Sequence, residues 1–122
     1  MPSARAKRYV PDPWNPECPS RGLIAMLGSK WVLLLMPLLR EGPKRNGELM
    51  RAIPDISQKM LTQTLRELES RGLVLRRDLQ TVPPHVEYEL TGLGKSLAKT
   101  IAHLDDWVVQ NFNRTTASRT AD

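Results

Sequence analysis

A mainly α fold carrying one small β-hairpin is predicted by three observations. Apolar residues recur at helical spacing through residues 23–39 and again through 97–112. Between these stretches, two short helical patterns meet across Pro54-Asp55-Ile56. After Gly72 the period changes from helical to extended, over residues 73–77 and 85–90. Two helices joined by so short a turn and followed by a hairpin make a winged helix-turn-helix.

Size and composition agree. The chain of 122 residues is one ordinary domain's worth, and 40% apolar with 25% charged residues fits a globular protein with a single core. The longest apolar run, residues 31–39, contains Pro37 and is too short to span a bilayer. Residues 1–17 are Pro-rich and charged with no apolar centre, so no signal peptide is expected and the predicted location is the cytoplasm, away from membranes. One cysteine, Cys18, excludes an internal disulfide and a cysteine-based zinc site. His85 and His103 have no metal spacing, and no P-loop, G-x-G-x-x-G, G-x-S-x-G or H-E-x-x-H pattern occurs. No nucleophile–base pair supports an enzyme, and no cofactor is called for. The formal charge of +5 favours a polyanionic partner. Residues 40–77 hold nine Lys/Arg against five Asp/Glu, whereas residues 95–112 hold two of each. The positive excess therefore surrounds the two short helices.

In order, residues 1–17 hold four prolines and read as a flexible N-terminal arm. Arg5, Lys7 and Arg8 in it can touch phosphate, although solvated charge is the blander reading; Trp14 wants a surface to cover. A helix begins at Cys18-Pro19, because Pro at the first helical position gives up an N–H that would be unpaired anyway. Leu23, Met26 and Leu27 form its inner face, and Gly28-Ser29 ends it. The next helix, about Lys30–Arg40, is apolar nearly all round and is expected to be the central strut. Pro37 inside it should cost the bond to residue 33 and kink the last turn. Asn46 is expected to cap a short helix over residues 47–53.

Residues 57–72 carry the richest pattern. Ser57 is a good N-cap and Gly72 a good left-handed C-cap. Leu61, Leu65 and Leu68 share one face. Opposite lie Glu69 and, with donors or acceptors suited to nucleic acid, Gln58, Lys59, Thr62 and Arg66, with Gln63 at the edge. These side chains reach base edges or phosphates, and most sit in the N-terminal half, the end that a helix-turn-helix inserts into the major groove. A solvated amphipathic helix is the commoner alternative for such a pattern taken alone. In the hairpin, Arg76 and Arg77 suit phosphate or minor-groove contact. Pro83-Pro84 stiffens the loop between its strands. Thr91 is expected to cap the last helix, with Gly92 and Gly94 loosening its start. From Leu97 the apolar positions cover more than half of that helix's circumference, where one packing partner needs only a stripe. The surplus, with Leu97, Ile101, Leu104, Val108 and Phe112 as its bearers, points to a second copy of the chain. Residues 113–122 are polar and expected to be a frayed, disordered tail.

Taken together, residues 18–112 resemble the HxlR-type winged-helix regulators, bacterial transcription factors allied to the MarR group. The resemblance runs through Cys18-Pro19, Gly28-x-Lys30-Trp31, Gly42-Pro43, Gly47-Glu48-Leu49 and Ile53-Pro54-x-Ile56-Ser57. It continues in Lys59-Met60-Leu61-Thr62, Leu65-Arg66-x-Leu68-Glu69, Gly72-Leu73-Val74, Val82-Pro83-Pro84-x-Val86-Glu87-Tyr88 and Leu90-Thr91-x-Leu93-Gly94. It implies homodimers that bind palindromic operators in double-stranded DNA through the 57–72 helix and the wing. It also implies control of nearby genes, often in response to oxidants, electrophiles or small metabolites. Asn46 stands where that family often has an aromatic residue, Pro37 is unexpected in the central helix, and His85 replaces a frequent Arg. A His that is mostly neutral near pH 7 would hold phosphate more weakly.

Two other readings stay open. A winged helix that has lost DNA and binds protein instead would carry acidic or apolar residues on the exposed face of the 57–72 helix, which Lys59, Thr62, Gln63 and Arg66 argue against. Cys18, at a helix N-terminus with Arg21 and Lys30 near, is either a thiolate-forming sensor, as the resemblance implies, or a small buried residue at a helix start.

Overall fold

The computed structural model describes residues 10–120, with side chains as far as residue 115. Arg5, Lys7 and Arg8 lie outside the described residues. The described part of the arm is a run of turns. The Asn15 N–H donates to the Asp12 carbonyl at 3.0 Å, and the Cys18 N–H to that of Asn15 at 2.9 Å.

The elements that follow are α1 (Ser20–Leu27), α2 (Lys30–Arg40), β1 (Lys44–Arg45), α3 (Asn46–Ala52), α4 (Gln58–Ser70), β2 (Val74–Asp78), β3 (Val86–Leu90) and α5 (Gly92–Thr120). α2 starts at Ser29, whose hydroxyl accepts the Trp31 N–H, and continues through Pro37 to Arg40. It is the expected strut: Val32, Leu35, Met36 and Leu39 are buried. Around them close Leu49, Ile53 and Ile56 of the first helix-turn-helix segment, Leu61, Leu65 and Leu68 of α4, Leu73, Val74 and Leu90 of the hairpin, and Ala98 and Ile101 of α5. All parts of the fold thus share one core.

The three strands form an antiparallel sheet in the order β1-β3-β2. Val74 opposes Leu90, Arg76 opposes Tyr88 and Arg77 opposes Glu87. β1 is an addition to the expected hairpin: Lys44 pairs with Tyr88 and Arg45 with Glu87. This strand corrects the start of α3. Arg45 leaves the sheet in extended geometry, φ −88° and ψ 159°, and takes the N-cap position expected of Asn46. The Glu48 carboxylate reaches back to accept the Arg45 N–H at 2.8 Å. Such an acceptor satisfies one of the open donors of a helix start.

Two further expectations change in α5. The helix does not stop at Phe112 but runs on to Thr120. Its polar side chains fold back onto its own carbonyls, Asn111 Nδ2 onto Trp107 O at 2.9 Å and Thr115 Oγ1 onto Phe112 O at 2.6 Å. Gly94 is a point of close approach rather than a loosened start. A Cβ there would lie 2.0 Å from the Leu73 carbonyl oxygen, so only glycine lets α5 pack against the start of the hairpin.

Candidate nucleic-acid interface

Both ends of α4 are closed by its own sequence. The Ser57 hydroxyl accepts the Met60 N–H at 3.0 Å. At the other end Gly72 adopts φ +75°. There the Leu73 N–H returns to Leu68 O at 2.9 Å and the Gly72 N–H to Glu69 O at 3.0 Å, the paired bonds of a Schellman cap. The inner face, Leu61, Thr64, Leu65 and Leu68, is buried. Thr64 tolerates this because its hydroxyl donates to the Met60 carbonyl at 2.7 Å.

The outer face is therefore fixed in rotation. Gln58, Lys59, Gln63 and Arg66 are exposed and Thr62 is half-buried. These five side chains line one open concavity of about 430 Å³. The first turn of α4 holds no acidic residue to oppose an anion at its N-terminus. Gln58 is bonded to Asn46 across the turn and to Thr62 along the helix.

The wing differs from expectation in two of its three named residues. Arg76 is exposed. Arg77 is ion-paired with Glu89 on the neighbouring strand. His85 faces the protein: Arg45 Nη2 lies 2.7 Å from its Nδ1, and Glu87 Oε2 lies 3.3 Å from its Nε2. The reason is β1, which brings Arg45 against β3. An Arg nitrogen can only donate, so His85 Nδ1 is the acceptor of that bond, while its Nε2 is buried and has no hydrogen-bond partner among the described residues. Sequence reasoning missed both Arg45 and Asn46 at this site. A two-residue strand is too short to leave a period-2 signal.

The expected interface residues also separate. Ile101 is only 3% exposed and belongs to the chain's own core, and Leu97 packs against that core. Leu104, Trp107, Val108, Val109 and Phe112 of α5 remain exposed, as do Leu23 and Ile24 of α1.

Cys18 is half-buried, two residues before α1, and its Sγ lies 3.1 Å from Ser20 Oγ. The Asp12 N–H donates to the sulfur at 3.3 Å. The Ser20 hydroxyl, then the N–H groups of Asp12 and Ser20, hold the thiol below its ordinary pKa, against smaller opposing effects of desolvation and the Asp12 carboxylate. Among the described residues no cluster of three or more His, Cys, Asp or Glu can hold a metal, and no single helix is long and apolar enough to cross a membrane.

Residues 26–116, well over half of the chain, match the family model described as HxlR-like helix-turn-helix. This chain belongs to the HxlR-like family. It is 42% identical over 103 residues to the HTH-type transcriptional regulator YtfH of Escherichia coli K12, spanning 84% of this chain and 82% of that protein. The solved structure of the transcriptional regulator YtfH from Salmonella typhimurium superposes with a TM-score of 0.83 at 38% identity, over 89% of this chain and 97% of that one. The redox regulator HypR in its reduced form superposes with a TM-score of 0.75 at 36% identity, over 81% and 98%. HxlR-type proteins are DNA-binding transcriptional regulators, a non-enzymatic class, and the winged helix-turn-helix seen here is their fold.

Proposed function

We propose that this HxlR-type chain is a cytoplasmic homodimer that binds a palindromic operator, with α4 of each copy in the major groove. One observation carries the reading. Gln58, Lys59, Thr62, Gln63 and Arg66 form an exposed face on a helix whose opposite face is locked into the core. Gln63 is the free amide of this set and reads a base edge, while Lys59 and Arg66 hold phosphates or guanine. Ser57 lies at the same end as the helix cap, and Arg76 meets the backbone from the wing. Arg77 stays paired with Glu89, and His85 bonded to Arg45, until DNA competes for them. The exposed apolar surfaces of α1 and α5 join two copies about a two-fold axis, so that half-sites lie about 34–36 Å apart. Selection of bound fragments from sheared genomic DNA tests this. A recurrent inverted repeat supports it; uniform recovery of all sequences refutes it.

Cys18 gives the reading a signal. Its lowered pKa favours the thiolate, the form that reacts with oxidants and electrophiles. The similarity to a protein named as a redox regulator points the same way. With one cysteine per chain, the product is an adduct, a mixed disulfide with a small thiol, or a bridge between two copies. Operator binding by wild type and Cys18→Ser, with and without diamide, tests it. Loss confined to the wild type supports sensing, and equal responses reject it.

A further inference from the structure

We propose that Asn46, on α3, sets the base preference of α4 by holding Gln58 in one hydrogen-bonded unit with Thr62. The inference rests on the reading of α4 as the base-contacting helix.

Two primary amides face each other across the turn between α3 and α4. Asn46 Nδ2 donates to Gln58 Oε1 at 2.8 Å, and Gln58 Nε2 donates to Asn46 Oδ1 at 2.9 Å. Gln58 Nε2 also donates to Thr62 Oγ1 at 3.0 Å, one turn along α4. Asn46 is not spent on capping its own helix, because the cap position belongs to Arg45.

A primary amide carries two N–H donors and a carbonyl oxygen with two lone pairs. Both donors of Gln58 are used inside the protein, and one lone pair of Oε1 is left. The bidentate contact of a glutamine with adenine needs a donor toward N7 and an acceptor for the N6 amino group. Within this unit Gln58 supplies only the acceptor, so it takes an N–H from adenine N6 or cytosine N4 and cannot reach N7 with a donor. The donors that remain are the second N–H of Asn46 and the hydroxyl proton of Thr62. The pattern offered to the groove is thus spread over three side chains from two helices. Its rotamer freedom is lost at folding rather than at docking, which lowers the cost of docking.

Removing Asn46 frees one N–H of Gln58 while Thr62 keeps the other. The freed N–H and Oε1 then form the donor–acceptor pair that adenine takes. Binding-site selection from a random double-stranded pool, run with wild type, Gln58→Ala, Asn46→Ala and Asn46→Ser, reads this directly. Gln58→Ala identifies the base pair beneath residue 58. Both Asn46 variants are too short to reach Gln58, and each shifts preference at that base pair toward adenine by about tenfold, the scale of one good bidentate contact. Other positions and the salt dependence stay as in wild type. An unshifted preference in a folded Asn46 variant overturns the inference and leaves α4 as the reading helix. If wild type selects no sequence, the reading of α4 falls and takes the inference with it. Should both variants fail to fold, the unit is read in wild type by proton NMR. Mutual Overhauser effects between the side-chain amides of Asn46 and Gln58 support it, and their absence overturns it.

Discussion

The Thr91 hydroxyl donates to the Gly72 carbonyl at 2.6 Å and so ties the end of α4 to the start of α5. The same oxygen accepts the Gly94 N–H at 3.0 Å, and the Thr91 carbonyl takes the Lys95 N–H at 2.8 Å. One side chain therefore caps α5 and holds the turn that ends α4. If α5 joins two copies, this contact is one link between the interface and the base-reading helix.

Thr91→Val keeps the shape and removes both bonds. Stability to urea should fall by about 1–2 kcal/mol, the usual cost of losing a helix cap. Thr91→Ser keeps the hydroxyl and should recover most of the loss. If valine is as stable as threonine, the hydroxyl bonds contribute nothing net.

The interface prediction separates two neighbours on one helix. Ile101 is buried in the chain's own core, whereas Leu104 and Val108, one and two turns on, are exposed. Ile101→Asp should unfold the protein, because it buries an unpaired charge. Leu104→Asp with Val108→Asp should leave a folded monomer in sedimentation and remove operator binding. A double variant that stays dimeric places the two-fold contact elsewhere.

These neighbours also show where the sequence was legible. Periodicity found α2, α4 and α5, because each has a long apolar face against the same core. Ser57 and Gly72 were readable because each is a favoured cap type at the edge of a clear helical period, whereas the cap expected at Asn46 moved to Arg45. Periodicity could not divide the apolar positions of α5 between the chain's own core and an outer surface. Both lie on a helix apolar over most of its circumference, and the division depends on where α2 and the hairpin end. The wing was harder still. That Glu89 pairs with Arg77, and that Arg45 binds His85, depends on strand pairing, which the sequence pattern did not give. The Asn46–Gln58 contact spans twelve residues and leaves no local pattern.

The ion pair on the wing makes the third prediction. Arg77 is held by Glu89, so Glu89→Gln should release it to phosphate. DNA affinity should rise for all sequences, because Glu89 no longer competes with phosphate for Arg77, while the salt slope stays near that of wild type. Lys59→Ala, which removes an exposed cation of α4, should weaken binding to all sequences and flatten the slope by about one. Gln63→Ala should instead cost about 1–3 kcal/mol at a contacted base pair alone. A Glu89→Gln protein with unchanged affinity would show that Arg77 does not touch DNA.

The fourth prediction concerns the reactivity of Cys18 against pH. The thiolate is the reactive form, so the alkylation rate rises with pH and reaches half its maximum at the thiol pKa. Hydrogen bonds from Ser20 and from the Asp12 N–H hold that pKa below its ordinary value. The midpoint in the folded protein should therefore lie below that in the urea-unfolded chain. At pH values between the two midpoints, the folded protein carries more thiolate. Ser20→Ala removes the largest cause and should move the folded midpoint upward. Asp12→Asn keeps the backbone donor and removes the opposing carboxylate, so the midpoint should move downward. The opposite signs of the two variants separate hydrogen bonding from charge. Iodoacetamide rates between pH 6 and pH 10, followed by mass spectrometry on the single thiol, give all four midpoints (about four pH units bracket the free cysteine value). A folded midpoint equal to the unfolded one, with no response to Ser20→Ala, would show that the contacts around the sulfur do not tune it.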